Sequence, residues 1–76
     1  MPTLVIHRFD PSRLRGLREA RGWSQSELAR RSGIVRPAIS NYEAGKREPT
    51  DRVLAILATA LDFDADDLRR PIKVSV

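Results

Sequence analysis

Apolar residues recur along this 76-residue chain at spacings that change from two to three or four and back to two. Thr3-Leu4-Val5-Ile6-His7-Arg8-Phe9 is rich in β-branched residues and predicts a short strand over 3–9. Asp10-Pro11-Ser12 ends it, and either Asp10, with Pro11 at the first helical position, or Ser12 can cap a first helix. Leu14, Leu17 and Ala20 make one face of that helix, which stops near Gly22. Ser24-Gln25-Ser26-Glu27 has the form of a capping box, with Trp23 placed to pack on Leu28 as a hydrophobic staple. The helix it opens holds Leu28 and Ala29 and ends at Gly33.

A third helix follows over 35–44, with Pro37 confined to its first turn and Ile39 and Tyr42 on its inner side. Gly45 closes it, and Lys46-Arg47-Glu48-Pro49 is a basic connector. Thr50 caps a fourth helix with the core stripe Leu54, Leu57, Ala58 and Leu61. Asp64 caps a last short helix from Ala65 to Arg70, containing Leu68 and ended by Pro71. Residues 72–76 alternate and predict a terminal strand. The length is that of one domain spanning 1–76, with a core over 12–70.

Composition narrows the classes. There is no cysteine, hence no disulfide and no thiolate to bind a metal, and His7 is the single histidine, read as a strand residue. No stretch approaches the ~18 apolar residues of a membrane span, and the N-terminal residues lack the form of a secretory signal. A cytoplasmic protein with no cofactor is expected. Nothing arranges a nucleophile beside a base, and no glycine-rich phosphate loop is present, so the chain is read as no enzyme. The net charge of +4 is unevenly spread: residues 8–52 carry eleven Arg or Lys against six Asp or Glu, and residues 53–76 three against four. Such a bias suits a polyanionic partner.

The segment from Gln25 to Glu43 carries the functional signal. Two short helices joined by a three- to four-residue turn let the second present its N-terminal residues to a groove about 12 Å wide. Here the sequence resembles the Cro/cI-like (XRE-type) helix-turn-helix family. The resemblance rests on Gly22-Trp23-Ser24-Gln25-Ser26-Glu27-Leu28-Ala29, on Gly33 through Gly45, and on Pro49-Thr50 followed by Leu54, Leu57, Ala58 and Leu61. It implies an all-α, five-helix, lambda-repressor-like bundle over roughly 12–70, flanked by short strands at 3–9 and 72–76.

The resemblance further implies a regulator, in the first instance a repressor, that reads the major groove of double-stranded DNA with helix 35–44. Arg36, Pro37, Ser40 and Asn41 fall at positions facing base edges or nearby phosphates, and Gln25, Lys46 and Arg47 at phosphate-contacting positions. Arg36 has two readings, guanine pairing or a phosphate contact, and Asn41 has adenine pairing or a phosphate. Pro37 meets a thymine methyl or simply starts the helix. Arg18 and Glu43 sit where the family often has a buried ion pair. Trp23 and Tyr42, at apolar helix positions, are read as core rather than as stacking platforms.

Two positions depart from the family pattern: Val35 replaces a Ser or Thr cap, and Asp62 replaces a common glycine. Arg13, Arg15, Arg21, Arg30, Arg31 and Arg52 read most simply as a solvated basic surface. Val53, Ile56 and Ala60 form a second apolar stripe, expected to join two copies on a palindromic operator. The terminal strands can pack on the bundle, pair across a dimer or offer an edge to another protein. The alternative of another class is a protein-interaction module, such as an antitoxin that binds a toxin.

Overall fold

Most of the helices start where the sequence supplies an oxygen for the orphan amides of the first turn. The computed structural model describes residues 2–75. Its elements are β1 (Thr3–Phe9), α1 (Pro11–Ala20), α2 (Gln25–Ser32), α3 (Arg36–Glu43), α4 (Asp51–Leu61), a one-turn 3₁₀ helix (Ala65–Leu68) and β2 (Arg69–Ser75). Asp10 caps α1, its carboxylate accepting the Ser12 amide at 3.0 Å. The Ser24 hydroxyl accepts the Glu27 amide at 3.1 Å, and Thr50 accepts that of Val53 at 3.2 Å. The capping box at Ser24 forms by half, because the Glu27 carboxylate turns to Arg30 and Arg31 instead of returning to the cap. Val35 precedes α3 with no side-chain cap bond; a capping oxygen there is worth about 1 kcal/mol.

The expected all-α, five-helix architecture is corrected on two points. The fifth helix is a single 3₁₀ turn, in which the Asp67 carboxylate accepts the Asp64 amide at 2.9 Å. Arg69, Arg70 and Pro71 belong to β2, so Pro71 lies inside a strand and does not terminate a helix. The molecule is therefore four α-helices with a two-stranded antiparallel sheet, paired from Thr3↔Ser75 through Ile6↔Ile72 to Phe9↔Arg69.

Proline is tolerated because of where its nitrogen points. The ladder continues past the strands, Asp10 donating to the Leu68 carbonyl at 2.8 Å. Pairs in an antiparallel ladder alternate between hydrogen-bonded and not. Counting from Asp10–Leu68, the His7–Pro71 pair falls in the class that exchanges no bonds, and the missing N–H would have faced the open edge.

Every helix contributes to one core: Leu14, Leu28, Ile39, Tyr42, Leu54, Leu57, Ala58, Leu61 and Leu68. On α1, Leu14 is fully buried and Leu17 half-buried, whereas Ala20 is exposed. Phe9 and Trp23 pack on the core from its rim. The sheet is held at its base by Phe9, by Arg8 with Glu48 at 2.8 Å, and by Arg69 with Asp51 at 3.1 Å and Asp66 at 3.0 Å. Its outer half projects, which stretches the molecule to 46 × 22 × 20 Å. Among the described residues no helix is long and apolar enough to cross a membrane.

Candidate nucleic-acid interface

The turn between α2 and α3 is set by Gly33, whose φ of 76° lies in the left-handed region that a side chain disfavours. The Ser32 hydroxyl then accepts the Ile34 amide at 3.1 Å. With α3 so aimed, Ile39 and Tyr42 anchor its inner side in the core. At 100° per residue, Arg36, Ser40, Pro37 and Asn41 share an arc of about 140° on the opposite side. Arg36 and Pro37 are exposed, Ser40 and Asn41 half-buried. Polar groups that face outward from an anchored helix are free to bond to something else.

The helices behind this face are locked by charge. Arg18 on α1 grips Glu43 on α3 through two parallel hydrogen bonds, Nε to Oε2 at 2.8 Å and Nη2 to Oε1 at 2.9 Å. Its third nitrogen donates to the Trp23 carbonyl at 2.7 Å. Gln25, at the start of α2, donates its side-chain amide to Glu43 at 3.2 Å. The side chains of Arg18 and Glu43 are 11% and 5% exposed, so the pair is shielded from solvent and salt. Hydrogen bonding to Glu43 raises the pKa of Arg18 further above its ordinary value against the desolvation that opposes it. One carboxylate thus ties α1, α2 and α3 together.

Around this lock lies a polar notch of about 280 Å³ lined by Arg15, Arg18, Gln25, Ser40, Glu43 and Ala44. Arg15, which from the sequence alone reads as plain surface, is one of these. Its only signal was the spacing to Arg18, which places the two on neighbouring parts of α1. After α3, Gly45 turns the chain at φ 72°, and the Lys46 and Arg47 amides donate to the Asn41 carbonyl at 2.9 and 3.4 Å. Both cationic side chains are exposed. Gln25 thus touches the C-terminal end of α3, and the Lys46–Arg47 loop follows directly from that end.

Several arginines read as surface have structural work. Arg21 donates twice to the Leu61 carbonyl, at 3.1 and 2.6 Å, which satisfies the end of α4, and its guanidinium lies 5.7 Å from the Phe63 ring. Arg31 stacks on Trp23 at 4.3 Å. Arg30 and Arg31 both hold Glu27, and the bond from Arg30 in particular lowers the Glu27 pKa to about 2. Arg13 donates to the Arg69 carbonyl and so helps fix the sheet's base. The roles of Arg21 and Arg13 depend on distant elements, whereas the Glu27 pairs follow from i,i+3 and i,i+4 spacing within α2.

Of the three residues expected to join two copies, Ile56 and Ala60 line a groove of about 430 Å³ with Ala55, Thr59, Arg31, Ser32 and Arg52. Val53 is not part of that lining; it packs at the edge of the core. His7 lies on the exposed sheet. Among the described residues no cluster of His, Cys, Asp or Glu could hold a metal ion.

An anchored helix with a polar outer arc, braced by a second helix across a glycine turn, defines a helix-turn-helix protein. The chain belongs to the helix-turn-helix family, whose model matches residues 14–68. Among curated relatives it is 38% identical over 56 residues to the HTH-type transcriptional regulator AnsR of Bacillus subtilis, a match covering 74% of this chain and 48% of that protein. The chain spans about half, or less, of the length of the curated relatives it matches. Among solved structures, the restriction-modification controller protein C.AhdI from Aeromonas hydrophila is 41% identical with a TM-score of 0.74, covering 76% of this chain and 88% of that one. The master regulator for biofilm formation SinR, solved in complex with DNA, is 27% identical with a TM-score of 0.73, covering 76% and 94%. The DNA-binding domain of the P22 c2 repressor is 30% identical with a TM-score of 0.74, covering 80% of each chain.

Proposed function

We propose that this chain is one DNA-binding unit that reads the major groove of double-stranded DNA with α3 and acts in the cytoplasm as a transcriptional repressor. The observation that carries the reading is the outer arc of α3. Arg36, Pro37, Ser40 and Asn41 lie on the side of α3 opposite its core anchors, with Gln25 bonded to Glu43 at the helix's C-terminal end and the exposed Lys46 and Arg47 in the loop that follows. Arg36 and Asn41 offer planar, two-pronged hydrogen bonding to base edges, and the flanking cations neutralise phosphates. The names of relatives and structural neighbours, a transcriptional regulator, a controller protein and a phage repressor, support the same assignment. A module this small makes few contacts, so it acts as a homodimer on two half-sites of a palindromic operator.

A protein-interaction module such as an antitoxin remains the competing reading, and the exposed sheet is the observation in its favour. It needs no polar arc on α3, which is why DNA comes first. The two are compatible, since an antitoxin can also repress its own operon, and selection from a random-sequence duplex library at two salt concentrations tests the DNA reading. An enriched palindromic motif with affinity falling steeply in salt is the expected result. Binding without enrichment would reduce the chain to a non-specific basic protein. Absence of binding would favour the protein partner.

A further inference from the structure

The two-stranded sheet poses a physical problem. A pair of isolated strands is marginal in water, yet this one stands on a narrow base with Leu4, Val5, Ile6 and Val74 36–51% exposed. The apolar residues are not scattered. Directly opposed residues share a face, and the pairs Leu4–Val74 and Ile6–Ile72 set four aliphatic side chains side by side.

The two open edges differ in kind. The alternation fixed by Asp10–Leu68 turns the backbone groups of Thr3, Val5 and His7 outward along β1, and those of Pro71, Lys73 and Ser75 outward along β2. The β2 edge lacks an N–H at Pro71 and carries Lys73 beside it. Proline and lysine on an edge are the means by which sheets refuse another strand. The β1 edge carries neither between Thr3 and His7.

Charge follows the same division. The sheet contains Arg8, Arg69, Arg70 and Lys73 and no acidic residue. Arg8 is paired with Glu48, and Arg69 with Asp51 and Asp66. Within the sheet, the cations with no ion pair among the described residues are Arg70 and Lys73, and both lie on β2. Two sheets joined through β1 would hold their β2 strands about 14 Å apart, three strand spacings. That exceeds the ~8 Å Debye length of physiological salt. The α4 groove offers the opposite case: Arg52, with no ion pair among the described residues, and Arg31, already held by Glu27, flank Ile56 and Ala60, so a two-fold contact there would place an uncompensated Arg52 from each copy at its rim.

We infer that the β1 edge is the surface through which two copies of this chain join, antiparallel about a two-fold axis at Val5, as one four-stranded sheet. In this register Val5 opposes the partner's Val5, and Leu4 opposes the partner's Ile6. One face then carries eight aliphatic side chains in a continuous patch. A register centred on Ile6 would oppose Leu4 with the partner's Arg8 and break that patch. The edge is seven residues long and smaller than a standard interface, so the joint is weak and strengthens when two copies occupy adjacent half-sites. The inference gives the homodimer proposed above its contact surface, and it rests on that reading only for its use on DNA.

The chain has no cysteine, so a single one reports the contact. The opposed Val5 pair is a hydrogen-bonded one, with Cα atoms about 5.5 Å apart, within disulfide range. Under mild oxidation V5C is expected to form covalent dimers at least tenfold faster than K73C, which lies on the refused edge. Sedimentation without DNA should show wild type associating with concentration, V5P weakened tenfold or more, and K73P unchanged. Both prolines remove an outward N–H and leave the ladder between β1 and β2 intact. Equal cross-linking of V5C and K73C would overturn the inference, as would dimers that survive V5P but are lost in I56R. A wild type that stays monomeric, with V5P losing DNA affinity or another protein's binding, would assign the edge to that ligand and overturn it too. Because these measurements need no DNA, self-association through β1 in a chain that binds no DNA would sink the proposed function alone.

Discussion

Arg18 and Glu43 lie 25 positions apart in the sequence and meet through two hydrogen bonds of 2.8 and 2.9 Å, joining the first helix to the helix proposed to read the groove. A buried pair of this kind gains little by being made, because both charges are taken out of water. Its removal by halves is costly. R18M should therefore destabilise the fold by about 3–5 kcal/mol, since it leaves the buried Glu43 carboxyl group without its cation and with only the Gln25 bond. R18K should recover only part, because an ammonium cannot reproduce the fork. Chemical denaturation of the two variants checks this; equal stability of R18M and wild type would show that the lock carries no weight.

Asp62 ends α4 in the left-handed conformation at φ 65°, where the penalty of a Cβ is felt. Its ion pair with Arg21, at 3.8 Å and with the carboxylate 94% exposed, contributes little. D62G should raise stability by about 1 kcal/mol, or about 4–8 °C in Tm for a domain of this size. D62V should lower it, because a β-branched residue resists that conformation most. Thermal melts of the three proteins give the ordering D62G, wild type, D62V.

Glu27 is held by Arg30 and Arg31, with its pKa lowered to about 2. A carboxyl whose folded pKa lies below its unfolded value stabilises the fold above the unfolded pKa, and that contribution fades as pH falls. For Glu27 the fade runs from about 4.5 down to about 2. E27Q should be less stable than wild type at neutral pH, and the difference should shrink over that interval. Denaturation of both proteins from pH 7 to 2 tests the sign; a gap that widens in acid contradicts it.

The proposed DNA face predicts two separable phenotypes. R36A should lose about 1–3 kcal/mol on the selected site and relax preference at one base pair, the mark of a base reader. K46A should weaken binding to all sequences alike and reduce the salt slope by about one. If R36A instead weakens every sequence equally, Arg36 is a phosphate contact. Titrations over a range of salt concentrations separate the two.

What the sequence discloses is local. The caps at Asp10, Ser24 and Thr50, the core positions on α2 to α4 and the bounds of β1 all follow from side chains acting on their neighbours. The placement of α3 follows as well, since Pro37 and Gly45 bracket it. Pro71 misleads for a definite reason. A proline stops a helix whatever surrounds it, whereas its place in a strand depends on which edge is open, and that is settled by a segment more than sixty residues away. Arg21 and Arg15 are opaque on the same ground: one caps α4 and the other borders a notch built from three helices. Long-range geometry decides them, and no pattern of neighbours encodes it.

The register of the sheet also bears on the order in which the chain assembles. β1 and β2 enclose every other element, so pairing them first would mean closing a loop of the whole bundle at full entropic cost. Once α1 and the 3₁₀ turn have docked, the Asp10 amide already sits 2.8 Å from the Leu68 carbonyl, and the strands begin side by side. Pairing then runs like a zipper from Phe9–Arg69 outward, and opening runs the other way, from Thr3–Ser75 inward. The sheet is thus the last part of the fold to close and the first to fray, and its outermost amides should exchange with solvent well before those of the helices.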